Sequence, residues 1–308
     1  SYVGTGSDGT NLKPYTSLAT AIAASASGNK IFIKGDNIIT SEIVLPHSLK
    51  FFGIEGTKIR YSTYDATNGN LLKFTGTDNT QEFSFHNIEF NNAGEYGLKI
   101  TGGAASVDII DCKFKNNGWN GGGLSTVLPE AGGVLGYDSE QADLQAFYAS
   151  SNASNGGAMR IETVTNLQVV GNKVMNNLRG IRVADCGING NGFITRNVSA
   201  QNIESGIYLS VGAGGGCQNI TVTMNFSAFN ANNGLLVIGG INNKFSQNEV
   251  NGNWNAGFCA WGAANTTLRD CGLYDNNRSN FNGIGNTGDA KASIQINEAY
   301  NLLGTQIS

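Results

Sequence analysis

The feature that most constrains this chain is a repeat. The segments FHNIEFNN, IDCKFKNN, VGNKVMNN, TRNVSAQN, TMNFSAFN, SQNEVNGN and LRDCGLYD each carry an Asn or Asp, with a second five residues on. The first set is Asn87, Asp111, Asn172, Asn197, Asn225, Asn248 and Asp270. The second is Asn92, Asn116, Asn177, Asn202, Asn230, Asn253 and Asp275, joined by Asn152, with steps of 24, 36, 25, 25, 28, 23 and 22 residues. A glycine then opens a short apolar alternation: GLKI, GGAMRI, GIRV, GIYL, GLLVI, GFCAW. The unit is a turn residue, a glycine and a strand of period two, with no helix between strands.

A period in the low to mid twenties with several short strands predicts a parallel β-helix, in which each coil buries its apolar face only by stacking on the next. Glycine and asparagine, which tolerate left-handed backbone, supply 43 and 41 of the 308 residues, against three prolines. Apolar residues at 40% suffice for a core. Equivalent strands stack ~4.8 Å apart, so asparagines at equivalent turns can hydrogen-bond their amides up the stack. Replacing Asn197 or Asn225 by Ala is therefore expected to destabilise more than replacing a scattered residue such as Asn11.

The first 80 residues differ. Pro14–Ser27 has apolar residues at helical spacing (Leu18, Ala19, Ile22, Ala23) and ends at Gly28-Asn29, which predicts a helix covering the open end of the stack. Residues 1–80 read as this cap and the first coils, and 81–308 as regular coils of one continuous domain. Ile294 and Ile296 read as one more rung with no comparable cap beyond, as expected of a segment of something longer or of an end that meets a partner. The chain opens at Ser1 with no basic-then-apolar leader, as expected of a mature form or a trimmed domain.

Composition excludes several classes. A net charge of −4 with 14% charged residues argues against nucleic acid, whose binding needs a basic surface. No apolar run is long enough for membrane insertion. Five cysteines without a CxxC pair and only two histidines, His47 and His86, argue against a metal centre and against Ser-His-Asp or Cys-His nucleophiles. Cys112 and Cys271, in the matching contexts DCKF and DCGL, read as small buried residues of the repeat. The glycine cluster GAGGG at 212–216 lacks a following Lys-Ser/Thr and reads as a turn.

The opening YVGTGSDGT, PYTSLATAIAASASGNKIFIKGD and SLKFFGIEGTKIR, followed by the N-x-x-x-x-N-x-x-x-G coils, resembles the right-handed parallel β-helix proteins of the pectin-lyase-like superfamily over nearly the whole chain. The resemblance implies an all-β, single-stranded right-handed parallel β-helix of about ten coils. The superfamily includes polysaccharide lyases and hydrolases, alginate epimerases and phage tailspikes. The character nearest to this chain is the phage tailspike or tail fibre, which implies recognition of a surface polysaccharide, a homotrimer in the full-length protein, and an extracellular or virion surface.

The alternation assigns one outer face. Lys99, Arg160, Arg182, Tyr208, Leu236, Cys259 and Trp261 point outward from successive coils, running from basic through aromatic to apolar. Arginine forks suit carboxylates and aromatic faces suit sugars. Lys99 and Trp261, with Trp119 and Trp254 from Asn/Gly-rich turns and Asp143 from the long step between coils, are the binding candidates, against the alternative of a solvated strand face and turn-packing tryptophans. The 36-residue step holds a surplus around residues 126–143, where Glu130, Asp138, Glu140 and Asp143 concentrate; such an excursion is either decorative or a catalytic or binding loop. A lyase would use Arg160 or Arg182 as base with Tyr208 as proton donor. A glycoside hydrolase would pair Asp138, Glu140 or Asp143 with Glu162 or Asp185 across ~5–9.5 Å. The stretch LGYDSEQ resembles the YGFDPH of alginate epimerases at Tyr137 and Asp138 but lacks the histidine. Whether the protein is an enzyme stays open at this point. No cofactor is implied, with calcium left open because backbone carbonyls can ligate it.

Overall fold

A computed structural model describes residues 9–10, 13–77, 79–118, 156–230, 232–253, 256–263, 265–274, 294–297 and 306–307. Among these residues, one helix turn is followed entirely by strands, and every strand pairing between coils is parallel. Each coil contributes a strand to sheet A, a short strand to sheet B and a strand to sheet C. Coil 164–184 is representative: Val164–Val170, then Lys173–Met175, then Ile181–Ala184. Leu167, Val169, Val174, Ile181 and Val183 point inward and are fully buried. At ~1.5–3 kcal/mol per buried large aliphatic side chain, this repeated inward set is what holds the stack together. Like residues also stack on like: Phe51 on Phe85 at 5.2 Å and Phe90 on Phe114 at 4.8 Å between ring centroids. The protein is a parallel β-helix. Its stacking runs unbroken across residue 80, since Leu49–Gly53 pairs with Asn29–Ile33 on one side and with Glu82–His86 on the other. The expected rung at Ile294–Asn297 pairs with Phe258–Trp261.

The N-terminal helix is shorter than Pro14–Ser27. It spans Leu18–Ala23, because the Ser17 hydroxyl accepts the Thr20 N–H at 3.1 Å and starts the helix there. At the other end the Ser25 hydroxyl donates to the Ile22 carbonyl. Leu18 and Ile22 cover the core, whereas Ala19 and Ala23 face solvent.

The asparagine ladders exist, with their first members shifted by one residue. Cys112 N–H donates to Asn172 Oδ1, and Asn172, Asn197 and Asn225 each donate Nδ2 to the Oδ1 of the next at 2.9 Å; Asn248 Nδ2 donates to Cys271 Sγ at 3.6 Å. Asn87, Asp111 and Asp270 are therefore not rungs; Cys112 and Cys271 hold the rung positions beside the last two. The second ladder runs from the Ala93 N–H through Asn117, Asn177, Asn202 and Asn230 to Asn253, so Asn117 replaces Asn116 and Ala93 replaces Asn92. Asn87, Asp111, Asn92 and Asn116 occupy left-handed turn positions one residue earlier, with φ between 52° and 63°. Asp275 lies outside the described residues.

Asn117 bonds directly to Asn177, and Lys113 pairs with Lys173. The rungs at 117 and 177 are therefore neighbours although 60 residues apart in sequence; Asn152, expected as a rung within that excursion, lies outside the described residues. Residues 119–155 of that excursion lie outside the described residues. Its two ends meet where glycine is required. A Cβ on Gly118, at φ +66°, would lie 2.6 Å from Gly157 N, and one on Gly156 would lie 2.7 Å from Gly118 Cα. Gly156→Val should lower the melting temperature by several degrees, whereas Gly215→Ala, with nothing within 4 Å and a positive φ alone to strain, should cost about 1 kcal/mol. Thermal melts of the two variants decide the point.

Candidate functional site on the outer face of sheet C

The outward column expected from the alternation is real. Lys73, Lys99, Arg160, Arg182, Tyr208, Leu236 and Cys259 are consecutive partners across sheet C. Six steps of ~4.8 Å make this column about 29 Å long. Trp261 lies two residues further along its strand, beside Ile238, and is 43% exposed.

The column is not an open basic stripe. Lys73 Nζ is 3.0 Å from Glu42, and Lys99 Nζ is 3.3 Å from Glu95. Arg160 Nη2 and Nε lie 2.6 and 2.7 Å from Glu162 Oε1. Burial opposes the charge of Arg160, yet the Glu162 bond outweighs it and holds the guanidinium above its ordinary range. Below the column, Arg179 Nε donates to Glu204 Oε2 at 2.7 Å and its Nη1 to the Tyr96 hydroxyl at 3.3 Å. The sequence reading did not find this Arg179–Glu204–Tyr96 group. Its signal was the recurrence of a glutamate four residues before the column, Glu95 before Lys99 and Glu204 before Tyr208.

Arg182 differs from these cations. It has no carboxylate partner among the described residues, its Nε is buried without a hydrogen bond, and its guanidinium carbon lies 5.6 Å from the centroid of the Tyr208 ring. Burial pushes the Tyr208 phenol up, Arg182 and Arg179 pull it down, and Glu204 pushes it up again; the net direction is up, so the hydroxyl keeps its proton at neutral pH.

The apolar end of the column is covered. Leu236 is 7% exposed and Cys259 fully buried, and with Ala256 they form a small cluster outside the main core, packed by Tyr208 and Ile238. Burial pushes the Cys259 thiol up to about 12, so it is no nucleophile. Leu236 and Cys259 therefore continue the column as a covered apolar cluster against which Tyr208 packs, and do not line a groove.

Of the acids expected beside the groove, Glu162 is bound to Arg160. Asp185 is taken by the 212–216 turn: its carboxylate accepts the N–H groups of Gly212, Gly214 and Gly216 at 2.9, 2.8 and 2.7 Å. Trp119, Asp138, Glu140, Asp143 and Trp254 lie outside the described residues. The first four fall in sequence between Gly118 and Gly156, the latter in the turn leading to the Arg160 strand. Among the described residues no three His, Cys, Asp or Glu side chains gather as a cation site, and no helix is long and apolar enough to cross a membrane.

No protein-family profile matches the sequence, and no curated protein matches it. Among solved structures, the chain is similar to the A-module of the mannuronan C-5 epimerase AlgE4 of Azotobacter vinelandii, at 13% identity and TM-score 0.41, covering 84% of this chain and 72% of that one. It is also similar to tailspike protein 3 of bacteriophage CBA120, at 11% identity and TM-score 0.28, covering 90% of this chain and 50% of that one.

Proposed function

We propose that this β-helix binds an extended polysaccharide along the outer face of sheet C, at an extracellular or virion surface. The observation that carries the reading is the single column Lys99–Arg160–Arg182–Tyr208, in register over four consecutive coils and ending in a guanidinium beside an aromatic ring. A straight row of polar and aromatic side chains at constant spacing suits a polymer with a repeat of its own. Lys99 and Arg160, held by Glu95 and Glu162, present fixed donors, and Trp261 adds an exposed ring further along.

A second reading, polysaccharide β-elimination, is favoured by one observation: Tyr208 stays protonated next to Arg182. In it a base removes the proton alpha to a uronate carboxylate, the C4–O bond breaks, and Tyr208 protonates the departing oxygen. Arg160, with its proton held by Glu162, is a poor base, which leaves Arg182 for that role. The test is affinity electrophoresis in gels containing acidic or neutral polysaccharides, with and without calcium, alongside absorbance at ~235 nm and a reducing-sugar assay. Retardation with neither product is the expected result. A rise at that wavelength moves the assignment to the lyase, reducing ends without it to a hydrolase, and absence of both retardation and product removes the function proposed.

A further inference from the structure

We propose that Ser84 and His86, on the outer face of sheet A, form a nucleophile and general-base pair that hydrolyses short-chain carboxylic esters, with Lys50 facing the oxygen that turns negative. This activity is independent of the glycan-binding reading, which concerns sheet C. A distance points to it: Ser84 Oγ lies 2.6 Å from His86 Nε2, within the reach a nucleophile needs of its base. The sequence holds two histidines, a scarcity that argues against such a pair, yet the fold sets one of them against a serine on its own strand.

The surroundings suit the task. On Glu82–His86, Phe83 and Phe85 fill the core, so Ser84 and His86 project to the solvent side. Lys50, Ser84 and Asp108 are consecutive cross-strand partners, ~4.8 Å apart. A short serine between two long charged side chains sits low among them, 6% exposed and shielded from bulk water. The imidazole stacks on Phe52 at 4.8 Å between ring centroids and 12° between planes, and Phe52 stacks on Phe32 at 5.5 Å. That stack fixes the ring plane, so the base is oriented before any substrate arrives. Phe32, 68% exposed, extends an apolar wall on which an acyl chain can lie. Burial pushes the Asp108 carboxyl up, His86 and Lys50 pull it down, and Glu82 pushes it up again; the net direction is up, and the acid feels the charge of both base and cation.

The other histidine supplies the contrast. His47 Nε2 is 3.2 Å from Ser25 Oγ, but the Ser25 hydroxyl donates to the Ile22 carbonyl at 2.6 Å, so its proton is already committed. Among the described residues no carbonyl takes the Ser84 proton, which leaves it to His86. In the reaction His86 Nε2 takes that proton as Ser84 Oγ bonds to the ester carbonyl carbon, and the carbonyl oxygen, now negative, faces the Lys50 ammonium. The bond from the carbonyl carbon to the alcohol oxygen breaks, and the alcohol leaves with the proton from His86. Water then gives a proton to His86 and attacks the acyl group; the acid is released and the proton returns to Ser84 Oγ. Asp108, when ionised, stabilises the imidazolium formed in both steps.

The deciding experiment treats the folded protein with a fluorophosphonate probe, maps the modified peptide by mass spectrometry, and follows hydrolysis of p-nitrophenyl acetate. The expected result is modification at Ser84, blocked by prior unfolding, together with turnover that the probe abolishes. Ser84→Ala and His86→Gln should each lower that turnover by ~10²-fold or more, and Lys50→Met by roughly tenfold. His47→Gln, at the serine whose proton is committed, should hydrolyse the ester as the parent does. No modification of Ser84 and no turnover above buffer overturns the site. Turnover that survives Ser84→Ala overturns it in favour of an imidazole or amine acting alone. Modification without turnover overturns the hydrolase and leaves a reactive serine. Labelling uses the unaltered chain, so the test holds even if Ser84→Ala fails to fold.

Discussion

Asn197→Ala should lower the unfolding free energy by about 4 kcal/mol, read from the urea midpoint at constant slope. Asn197 Oδ1 accepts both the backbone N–H and the Nδ2 of Asn172, each at 2.9 Å. Its own Nδ2 donates to the Val169 carbonyl at 2.8 Å and to Asn225 Oδ1 at 2.9 Å. Alanine leaves the Asn172 N–H and the Val169 carbonyl unsatisfied in a site that water does not reach, at ~1–3 kcal/mol each, and adds a cavity. Asn197→Asp should be as damaging, because a carboxylate restores the acceptor but turns an oxygen toward the Val169 carbonyl. Asn166→Ala, at an exposed strand position, should stay within ~0.5 kcal/mol. Equal losses at 166 and 197 would mean that the ladder contributes nothing.

Asp185→Ala should cost about 2–4 kcal/mol and strip hydrogen-exchange protection from the amides of Gly212, Gly214 and Gly216. Three N–H groups converge on one carboxylate, and a hydrogen bond to a charged group contributes ~1.5–3 kcal/mol. The sum is discounted because residues 212–215 are exposed and their amides can turn to water. Asp185→Asn keeps one acceptor oxygen and should fall between. Gly212 is part of the site itself, since a Cβ there would lie 2.2 Å from the carboxylate. Protection unchanged in Asp185→Ala would show that the turn is held by its backbone alone.

The strand register of sheet C was legible because Gly97, Gly180 and Gly206 stand two residues before Lys99, Arg182 and Tyr208; in the Arg160 strand Ala158 holds that place, and the apolar alternation of Met159 and Ile161 sets the alignment. The ladder frame was harder to read. Doublets such as Asn116-Asn117 and Asn176-Asn177 put asparagine both in the left-handed turn position and in the inward rung, and both positions favour it for different reasons. Ala93 and Cys112, small residues at the rung position, break the tie, but only once the neighbours above are known. Asn152 fits the spacing, and spacing alone cannot separate a rung from an asparagine within an excursion. The pairing of Arg160 with Glu162 and of Arg179 with Glu204 depends on side-chain direction, to which period-two counting is blind. The burial of Cys259 arises from Ala256, outside the strand pattern.

The left-handed turn position before the first ladder is filled by Asn87, Asp111, Gly171, Arg196, Met224 and Gln247 in successive coils. For residues such as Arg and Met this conformation costs ~1–2 kcal/mol in isolation, and here the amide ladder beside it imposes it whatever the side chain. Shape and surface chemistry are thereby uncoupled at this corner. One residue per coil can be charged, apolar or absent while the scaffold stays the same, giving a row of independently variable positions at a fixed pitch of ~4.8 Å. A protein built this way can change what it displays along one edge, coil by coil, without having to solve its folding problem again.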